Sequence, residues 1–320
     1  MGKYAIIVLG PAGSGKTTFC DTLQQSYSKK PSSGRYYTRT THIVNLDPAA
    51  EDLPYEVSLD IRSECSSEEV QEMHNLGPNG ALVHCLESLF MRDSTSWFSR
   101  NFGQFEDDFV IFDFPGQIEL ISQIPIVPEL IRKLTSEAAY KVVVCFLLDA
   151  QTVVTDRNKY ISACMCALSA MTAIEAPFIS LLTKTDLLSR EMMYGTEENH
   201  SQDSDDNENL KTLPTDALHT ELEMEDYSRI FHSYLSCNFD DITASSAIKQ
   251  GVPEARKKRF LRYTALTEKL CQVISDFSLV SFIPWSVHDE DSQMKVTDFL
   301  DHLLQFGEDE EVHEMESSSA

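Results

Sequence analysis

The stretch Gly10-Pro11-Ala12-Gly13-Ser14-Gly15-Lys16-Thr17 decides the fold of this 320-residue chain. It has the pattern G-x-x-x-x-G-K-T, in which glycines let backbone N–H groups turn inward around the phosphates of a nucleotide. The lysine can reach the β- and γ-phosphates, the threonine hydroxyl can ligate Mg²⁺, and a helix that begins here points its positive end at the same anion. The residues predicted to bind the nucleotide are Gly10, Gly13, Ser14, Gly15, Lys16, Thr17 and Thr18.

The surroundings of this loop are those that the motif requires. The apolar run Tyr4–Leu9 ends at the loop and predicts a buried strand, and the residues from Lys16 to about Tyr27 are compatible with a helix. Similar apolar runs recur at 43–46, 109–112, 142–148, 178–182 and 279–283, with helix-like segments between them and a long helical pattern over 255–277. Near-continuous apolar strands that alternate with helices predict an α/β fold, a doubly wound and mostly parallel sheet that binds its ligand at the carboxyl ends of the strands.

Charge is distributed unevenly along the chain. It carries 51 acidic and 26 basic residues, a formal net charge of −25, which argues against binding to the phosphates of nucleic acid. Residues Arg190–Asp226 hold 12 acidic and two basic residues, and the segment from Glu308 holds six acidic residues and no basic one. We therefore predict a single phosphate-loop domain over 1–307 with a disordered acidic insertion at about 195–215, followed by an acidic disordered tail over 308–320.

Cysteine usage and apolar runs bear on the compartment. The eight cysteines are scattered and form no C-x-x-C pair, which predicts buried free thiols in a reducing compartment such as the cytoplasm. The longest continuous apolar run, Val142–Leu148, is far too short to span a bilayer. We therefore expect no membrane contact.

A second motif, Asp113-Phe114-Pro115-Gly116-Gln117, follows the third apolar run. An aspartate at a strand end can hold Mg²⁺, usually through water. The Gly116 N–H is then placed to sense a γ-phosphate, and the Gln117 side chain can orient the attacking water. The motif predicts that the bound phosphate is hydrolysed.

A third motif, Thr183-Lys184-Thr185-Asp186, follows the fifth apolar run. A carboxylate can accept hydrogen bonds from the N1–H and the 2-amino group of guanine, whereas adenine has no donor at either position. A buried Asp186 would therefore be left unpaired by adenine, at a cost of roughly 1–3 kcal/mol. Because the Lys184 stem can also lie over the base plane, this motif predicts GTP rather than ATP.

Two further stretches carry polar residues at special positions. In Asn45-Leu46-Asp47-Pro48-Ala49-Ala50-Glu51, Asp47 stands at a strand end, where it could contact the waters of Mg²⁺ or activate the nucleophilic water. The alternative is that this aspartate only caps the next element. The tripeptide Gly77-Pro78-Asn79, followed by Gly80, reads from turn chemistry alone as a tight bend with a polar tip.

These motifs together resemble those of the GPN-loop GTPases, a family named for its Gly-Pro-Asn tripeptide. The matching segments are Gly10–Thr17, Asn45–Glu51, Gly77–Asn79, Asp113–Gln117 and Thr183–Asp186, in the order and spacing of the family. The similarity covers roughly residues 3–307 and is weakest across 28–41 and 190–250. Two details, Asp47–Glu51 and Phe306-Gly307-Glu308-Asp309, are similar to the third paralogue of the family.

The resemblance implies properties that spacing alone does not give. The family folds as a phosphate-loop domain of the dimeric, nucleotide-sandwiching class and hydrolyses GTP with Mg²⁺. Carried over to this chain, Asn79 would contact the phosphate bound by the other subunit, in a homodimer or in a heterodimer with a paralogue. Eukaryotic members act in the assembly and nuclear import of RNA polymerase II, which implies polymerase subunits as partners and a cytoplasmic protein that shuttles to the nucleus.

Other functions share parts of this pattern. An ATP-dependent kinase would carry the same phosphate loop, and a GTP-binding module with little hydrolysis would carry the guanine motif as well. A dimeric ATPase of the metal- or partitioning-type has an extra lysine early in the loop, where this chain has Pro11, Ala12 and Gly13. Preference for ATP over GTP would indicate the kinase, and absence of hydrolysis by the assembled dimer would indicate the binding module.

Overall fold

The fold is that of a computed structural model, which describes residues 2–28, 40–92, 97, 100–102, 109–117, 119–122, 124–188, 230–232, 254–277 and 280–306. The predicted insertion at about 195–215 and the predicted tail over 308–320 lie outside these residues. The chain divides into two compact units. The first comprises residues 1–149, 169–184 and 282–320, and the second comprises 150–168 and 185–281.

The first unit is built on one parallel sheet. Its strands are β1 (Lys3–Leu9), β2 (Thr41–Asn45), β3 (Val57–Asp60), β4 (Phe109–Asp113), β5 (Tyr140–Asp149), β6 (Phe178–Thr183) and β7 (Phe282–Pro284). These seven strands follow the order β3-β2-β4-β1-β5-β6-β7, and every neighbouring pair is parallel. The predicted doubly wound parallel α/β fold is confirmed, and the carboxyl ends of the strands meet at one edge of the sheet.

Helices connect the strands in the manner of βαβ units, except between β2 and β3, where residues 46–56 contain no helix. The α-helices of the described residues are α1 (Lys16–Ser28), α2 (Ser67–His74), α3 (Pro78–Glu87), α4 (Glu119–Ser122), α5 (Ile126–Ser136), α6 (Ala150–Val154), α7 (Arg157–Ile174), α8 (Glu254–Phe277) and α9 (Glu290–Leu304). Short 3₁₀ turns lie at Ile61–Ser63 and Thr185–Leu187, and a π-helical turn lies at Ser88–Arg92. The helix expected over 255–277 is therefore present as α8.

Both faces of the central strand β1 are buried, as a sheet covered on two sides requires. Tyr4, Ile6 and Val8 belong to a core that also contains apolar side chains of α1 and α9, such as Phe19 and Leu300. Because successive side chains point to opposite faces, Ala5, Ile7 and Leu9 face the other side, where all three are also fully buried. This packing fixes β1, and with it the start of the loop that follows.

The edge strand β3 was not predicted from the sequence. Its residues, Val-Ser-Leu-Asp, are only partly buried or exposed, so they lack the continuous apolar run that marks the central strands. The strand nevertheless pairs with β2 and places Asp60 at the carboxyl edge of the sheet. This position matters for the site described below.

The second unit contains α6, α8 and the first part of α7. Within it, the Tyr160 ring stacks on the Phe231 ring at a centroid distance of 4.4 Å, and Arg157 Nη2 donates to Cys271 Sγ at 3.6 Å. The seven cysteines of the described residues are all free thiols, and five of them are buried. None of the helices in the described ranges is both long and apolar enough to cross a membrane.

Candidate nucleotide site

The predicted phosphate loop connects β1 to α1 at the carboxyl edge of the sheet. Three of its glycines have positive φ angles, +149° at Gly10, +76° at Gly13 and +83° at Gly15, a region that side chains disfavour. A Cβ on Gly10 would overlap the Leu147 carbonyl oxygen, so this position also demands glycine for space. The sequence therefore specifies a loop that turns tightly over the sheet edge before α1 begins at Lys16.

Lys16 lies under this loop rather than in solvent. Its side chain is only 8% exposed, and its Nζ donates to the Pro11 carbonyl oxygen at 3.1 Å. Desolvation lowers the pKa of Lys16, while the carboxylates of Asp113 and Asp47 act in the opposite direction. The ammonium group is thus held across the loop, where a bound phosphate could replace the carbonyl contact. Thr17 is half-buried on the first turn of α1, and Thr18 is exposed.

Thr183 anchors the loop to the neighbouring strands. Its hydroxyl is fully buried and donates to the Ser14 carbonyl oxygen at 2.7 Å, and it also lies 3.1 Å from the Leu148 carbonyl oxygen. The side chain predicted to belong to the guanine motif therefore has a structural contact with the phosphate loop. Ser14 Oγ itself is buried without a hydrogen-bond partner among the described residues.

Asp113 ends β4, directly beside β1 and β2 in the sheet. It is 2% exposed, and its Oδ2 accepts a hydrogen bond of 2.9 Å from the Tyr55 hydroxyl. Its other oxygen, Oδ1, is buried and has no hydrogen-bond partner in the described part of the chain. Burial raises the pKa of Asp113, although the Tyr55 and Thr17 side chains act to lower it.

The residues after Asp113 reach the phosphate loop itself. A Cβ built on Gly116 would stand 2.7 Å from Ala12 Cα and 2.8 Å from Ala12 N, distances that real Cβ atoms do not show. The backbone at Gly116 therefore approaches the loop as closely as a glycine allows. Gln117 is partly buried, and its Oε1 lacks a hydrogen-bond partner within the described ranges. The structure thus brings the predicted hydrolysis motif to the predicted phosphate site.

Asp47 follows β2 in a segment that a polar network holds in place. The buried Asn45 accepts from the Asp47 N–H at 3.0 Å and donates to its carbonyl at 3.2 Å. Asn45 also donates to Asp60 Oδ1 at 2.9 Å, which connects β2 to the end of β3. The Asp47 carboxylate accepts from the Ala49 N–H at 2.9 Å, a turn contact within its own segment.

Arg62 completes this network. Its guanidinium forms a bidentate pair with Asp60, with Nη2 donating to Oδ2 at 2.6 Å and Nε donating to Oδ1 at 3.1 Å. Its Nη1 donates to the carbonyl oxygens of Ala50 and Glu51 at 2.9 and 3.0 Å. Burial alone would raise the pKa of Asp60, but hydrogen bonds from Arg62 and Asn45 hold that pKa below its usual value.

The guanine motif lies partly in each unit of the chain. In the first unit, Lys184 has a left-handed φ of +60° and its Nζ forms an ion pair of 2.9 Å with Asp149 Oδ2 at the end of β5. This pair holds the ammonium group of the lysine at the end of β5. In the second unit, Asp186 is partly exposed within the 3₁₀ turn Thr185–Leu187.

The Gly77-Pro78-Asn79 tripeptide lies at the tip of the α2–α3 hairpin. Asn75 ends α2 in a left-handed conformation with φ of 52°, Gly77 caps α3, and Pro78 occupies its first turn, where a missing N–H costs nothing. All three residues of the tripeptide are exposed, and no atom lies within 4 Å of a Cβ built on Gly77. The structure therefore presents this tripeptide outward, with Gly77 as the N-cap of α3 and with Pro78 and Asn79 in its first turn, whereas the bend itself lies just before, around Asn75.

The residues predicted to hold Mg²⁺ are compatible with such an ion. Asp113 offers a buried oxygen without a partner among the described residues, and Thr17 lies near enough to affect the pKa of that carboxyl. The described residues contain no cluster of three or more His, Cys, Asp or Glu side chains suited to a metal. Mg²⁺ commonly uses one or two protein ligands together with waters and phosphate oxygens, so this sparse donor set fits it.

Four supporting residues were not singled out as functional from the sequence. They are Asn45, Tyr55, Asp60 and Arg62. Asp60 could have been identified in the sequence as an acidic residue at the end of a strand, but only if β3 had been predicted. Tyr55 gives no sequence signal, because its hydrogen bond joins residues far apart in the chain.

Known proteins are similar to this chain along nearly its whole length. Residues 8–306 match a protein family described as conserved hypothetical ATP-binding proteins. GPN-loop GTPase 3 of Mycosarcoma maydis is 36% identical over 314 residues, covering 98% of this chain and 96% of that protein. The Saccharomyces cerevisiae protein of the same name is 33% identical over 315 residues, covering 98% and 97%, and that of Dictyostelium discoideum is 34% identical over 314 residues, covering 98% and 91%.

A solved structure shows the same fold. The apo form of a GTPase from Pyrococcus abyssi aligns with a TM-score of 0.51 and 23% sequence identity, covering 88% of this chain and 90% of that one. Relatives above 30% identity thus align along nearly the whole chain, and the resemblance seen in the motifs is confirmed. The chain belongs to the GPN-loop GTPase family.

Proposed function

We propose that the chain is a Mg²⁺-dependent GTPase that binds and hydrolyses GTP at a dimer interface. The observation that carries this proposal is the contact of the hydrolysis motif with the phosphate loop, where Gly116 lies against Ala12 without room for a Cβ. Phosphoryl transfer depends mainly on positioning and charge neutralisation, and this contact fixes the two motifs relative to each other.

The side chains around the phosphate loop would have separate roles in binding and hydrolysis. Lys16 and the loop N–H groups would hold the phosphates. When a phosphate oxygen replaces the Pro11 carbonyl, its negative charge would offset the cost of burying the lysine ammonium group. Gln117 and Asp47 would orient the attacking water, and the Gln117 Oε1, which has no hydrogen-bond partner in the described part of the chain, supports such a role. Asp113 and Thr17 would hold Mg²⁺, which when bound neutralises phosphate charge.

A second subunit is proposed to complete the site. The Gly77–Asn79 tip is exposed, and apolar residues that are also exposed precede it in the chain. Met73 is 77% exposed and Leu76 is 37% exposed. Exposed apolar residues beside a polar tip suit a surface that another chain covers. By family resemblance, Asn79 would act on the nucleotide of that chain, which is a second copy or a paralogue.

The biological role rests on resemblance. We propose a cytoplasmic protein that shuttles to the nucleus and acts in the assembly and import of RNA polymerase II. Purification of the chain loaded with a GTP analogue, followed by identification of co-purifying chains, tests this role. Recovery of polymerase subunits and a paralogue is expected, and their absence would leave a GTPase without this role.

Nucleotide binding tests the core of the proposal. We expect Lys16→Ala to weaken GTP affinity on the order of 100-fold or more, because it removes a buried charge that faces the phosphates. Lys133→Ala is the matched control, since Lys133 is also buried and also donates to a carbonyl oxygen, that of Phe90 at 2.8 Å. Fluorescent GTP and ATP analogues give the affinities. Unchanged affinity in Lys16→Ala, or preference for ATP, would contradict the proposal.

A further inference from the structure

Tyr55 contacts the predicted metal-binding aspartate from a part of the chain to which no motif assigns a role. It lies on the connection between β2 and β3, is 6% exposed, and donates to Asp113 Oδ2 at 2.9 Å. We propose that Tyr55 is a positioning residue, which orients the Asp113 carboxylate so that its other oxygen, Oδ1, faces the Mg²⁺ of the nucleotide site. This inference rests on the proposed Mg²⁺-dependent function.

The geometry of a carboxylate gives the reason. Rotation about the last torsion of an aspartate is broad, so a buried carboxylate without a fixed partner can present its oxygens in several directions. At Asp113 one oxygen is tied to the phenol, and the other is buried without a hydrogen-bond partner among the described residues. Because the group is planar, fixing Oδ2 also fixes the direction of Oδ1.

The segment that carries Tyr55 is anchored by the network around Asp47. The same connection between β2 and β3 carries Asp47 near its start and Tyr55 near its end. Arg62 holds the carbonyl oxygens of Ala50 and Glu51 between them, at 2.9 and 3.0 Å. One segment thus supplies both the predicted water-orienting carboxylate and the hydroxyl that orients the metal-binding one.

A purely structural role must be separated from this one, because Tyr55 also belongs to the apolar core. Tyr27 offers a matched comparison. It is equally buried, at 6% exposure, and belongs to the same core. Its hydroxyl lies 3.4 Å from Asp301 Oδ1. Asp301 is on α9 and belongs to none of the predicted motifs. Loss of either hydroxyl removes a buried contact, but only Tyr55 contacts Asp113.

The test compares Tyr55→Phe with Tyr27→Phe in the full chain. The affinity for a fluorescent GTP analogue is measured over a range of Mg²⁺ concentrations and in EDTA, and the melting temperature is measured without nucleotide. For Tyr55→Phe we expect the half-saturating Mg²⁺ concentration to rise about tenfold, the effect of losing one hydrogen bond to a charged group, with affinity in EDTA unchanged. Tyr27→Phe is expected to change only the melting temperature.

A second measurement keeps the inference testable if melting temperatures also fall. In an Asp113→Asn background, Tyr55→Phe should add no further change in Mg²⁺ dependence, because the carboxylate it orients is gone. A wild-type Mg²⁺ response in Tyr55→Phe, or full additivity with Asp113→Asn, overturns the inference alone. A wild-type chain without any Mg²⁺ dependence overturns the proposed function and this inference together.

Discussion

At the scale of single residues, the site depends on places where the backbone approaches too closely for a side chain. Gly10 against Leu147 and Gly116 against Ala12 are two such places, and both bring strand ends up to the phosphate loop. The first forms the loop, and the second joins it to the hydrolysis motif. Glycine at these positions is therefore required by contact as well as by conformation.

We expect Gly116→Ala to weaken GTP affinity and slow hydrolysis by roughly tenfold or more, because its Cβ would displace the Ala12 backbone at a cost of about 1–3 kcal/mol. Gly80→Ala is the control, since its Cβ would make only an ordinary contact of 3.5 Å with Leu76. Affinity, single-turnover rate and melting temperature are compared for both. Equal nucleotide affinity in the two variants would show that the close approach has no part in binding.

Single residues also show how far sequence reasoning reaches. The phosphate loop and Asp113–Gln117 were predicted because short motifs encode them, and the structure brings them together. Thr183 was predicted as a member of the guanine motif, yet its contact with the Ser14 carbonyl could not be foreseen from spacing. Tyr55 escaped prediction for the same reason, because a long-range hydrogen bond leaves no local pattern.

At the scale of elements, the connection between β2 and β3 is held in place by Arg62. This residue pairs with Asp60 at the end of β3 and donates to two carbonyl oxygens of the connection. The sequence did not predict β3, because a partly exposed edge strand of four residues lacks an apolar run. The central strands, buried on both faces, were predicted from their near-continuous apolar runs.

We expect Arg62→Ala to lower the free energy of unfolding by about 1 kcal/mol at neutral pH. This value is kept small because the Arg62 side chain is 35% exposed, and solvent weakens its ion pair. Because the pKa of Asp60 is lower in the folded protein, its stabilising pairing is present above about pH 4 and is lost as the pH falls through the folded value. The deficit of Arg62→Ala should therefore shrink in acid.

Urea unfolding at several pH values measures this effect. Arg132→Ala is the control, because Arg132 also pairs bidentately with a carboxylate, Glu129, but from an exposed position on α5. Little change is expected for that variant. A pH-independent deficit in Arg62→Ala would show that the Asp60 pair does not support the connection.

At the scale of the whole molecule, the exposed tip of the α2–α3 hairpin is the feature that a second chain is proposed to use. Asn79 is exposed there. We expect Asn79→Ala to slow hydrolysis more than it weakens binding. A mixture of Lys16→Ala and Asn79→Ala chains should regain activity, because one site of each mixed dimer combines an intact lysine with the partner's intact asparagine.

Random pairing makes half of the dimers mixed, so recovery of roughly a quarter of the wild-type rate per chain is expected. Hydrolysis is followed after the mass of the mixed dimer has been verified. Mixing Lys16→Ala with a chain that carries both substitutions is the control and should remain inactive. Mixed dimers without recovered hydrolysis would argue that Asn79 acts within its own subunit or not at all.

The buried thiol of Cys20 can report local opening of α1 next to the phosphate loop. It lies one helical turn after Lys16 on α1 and is fully buried, and burial raises the pKa of its thiol. A thiol in this state reacts with an alkylating reagent only in molecules in which the packing around this part of α1 has opened. Its labelling rate therefore measures the free energy of opening beneath the phosphate loop, and a ligand that closes this region should slow the labelling without any engineered label.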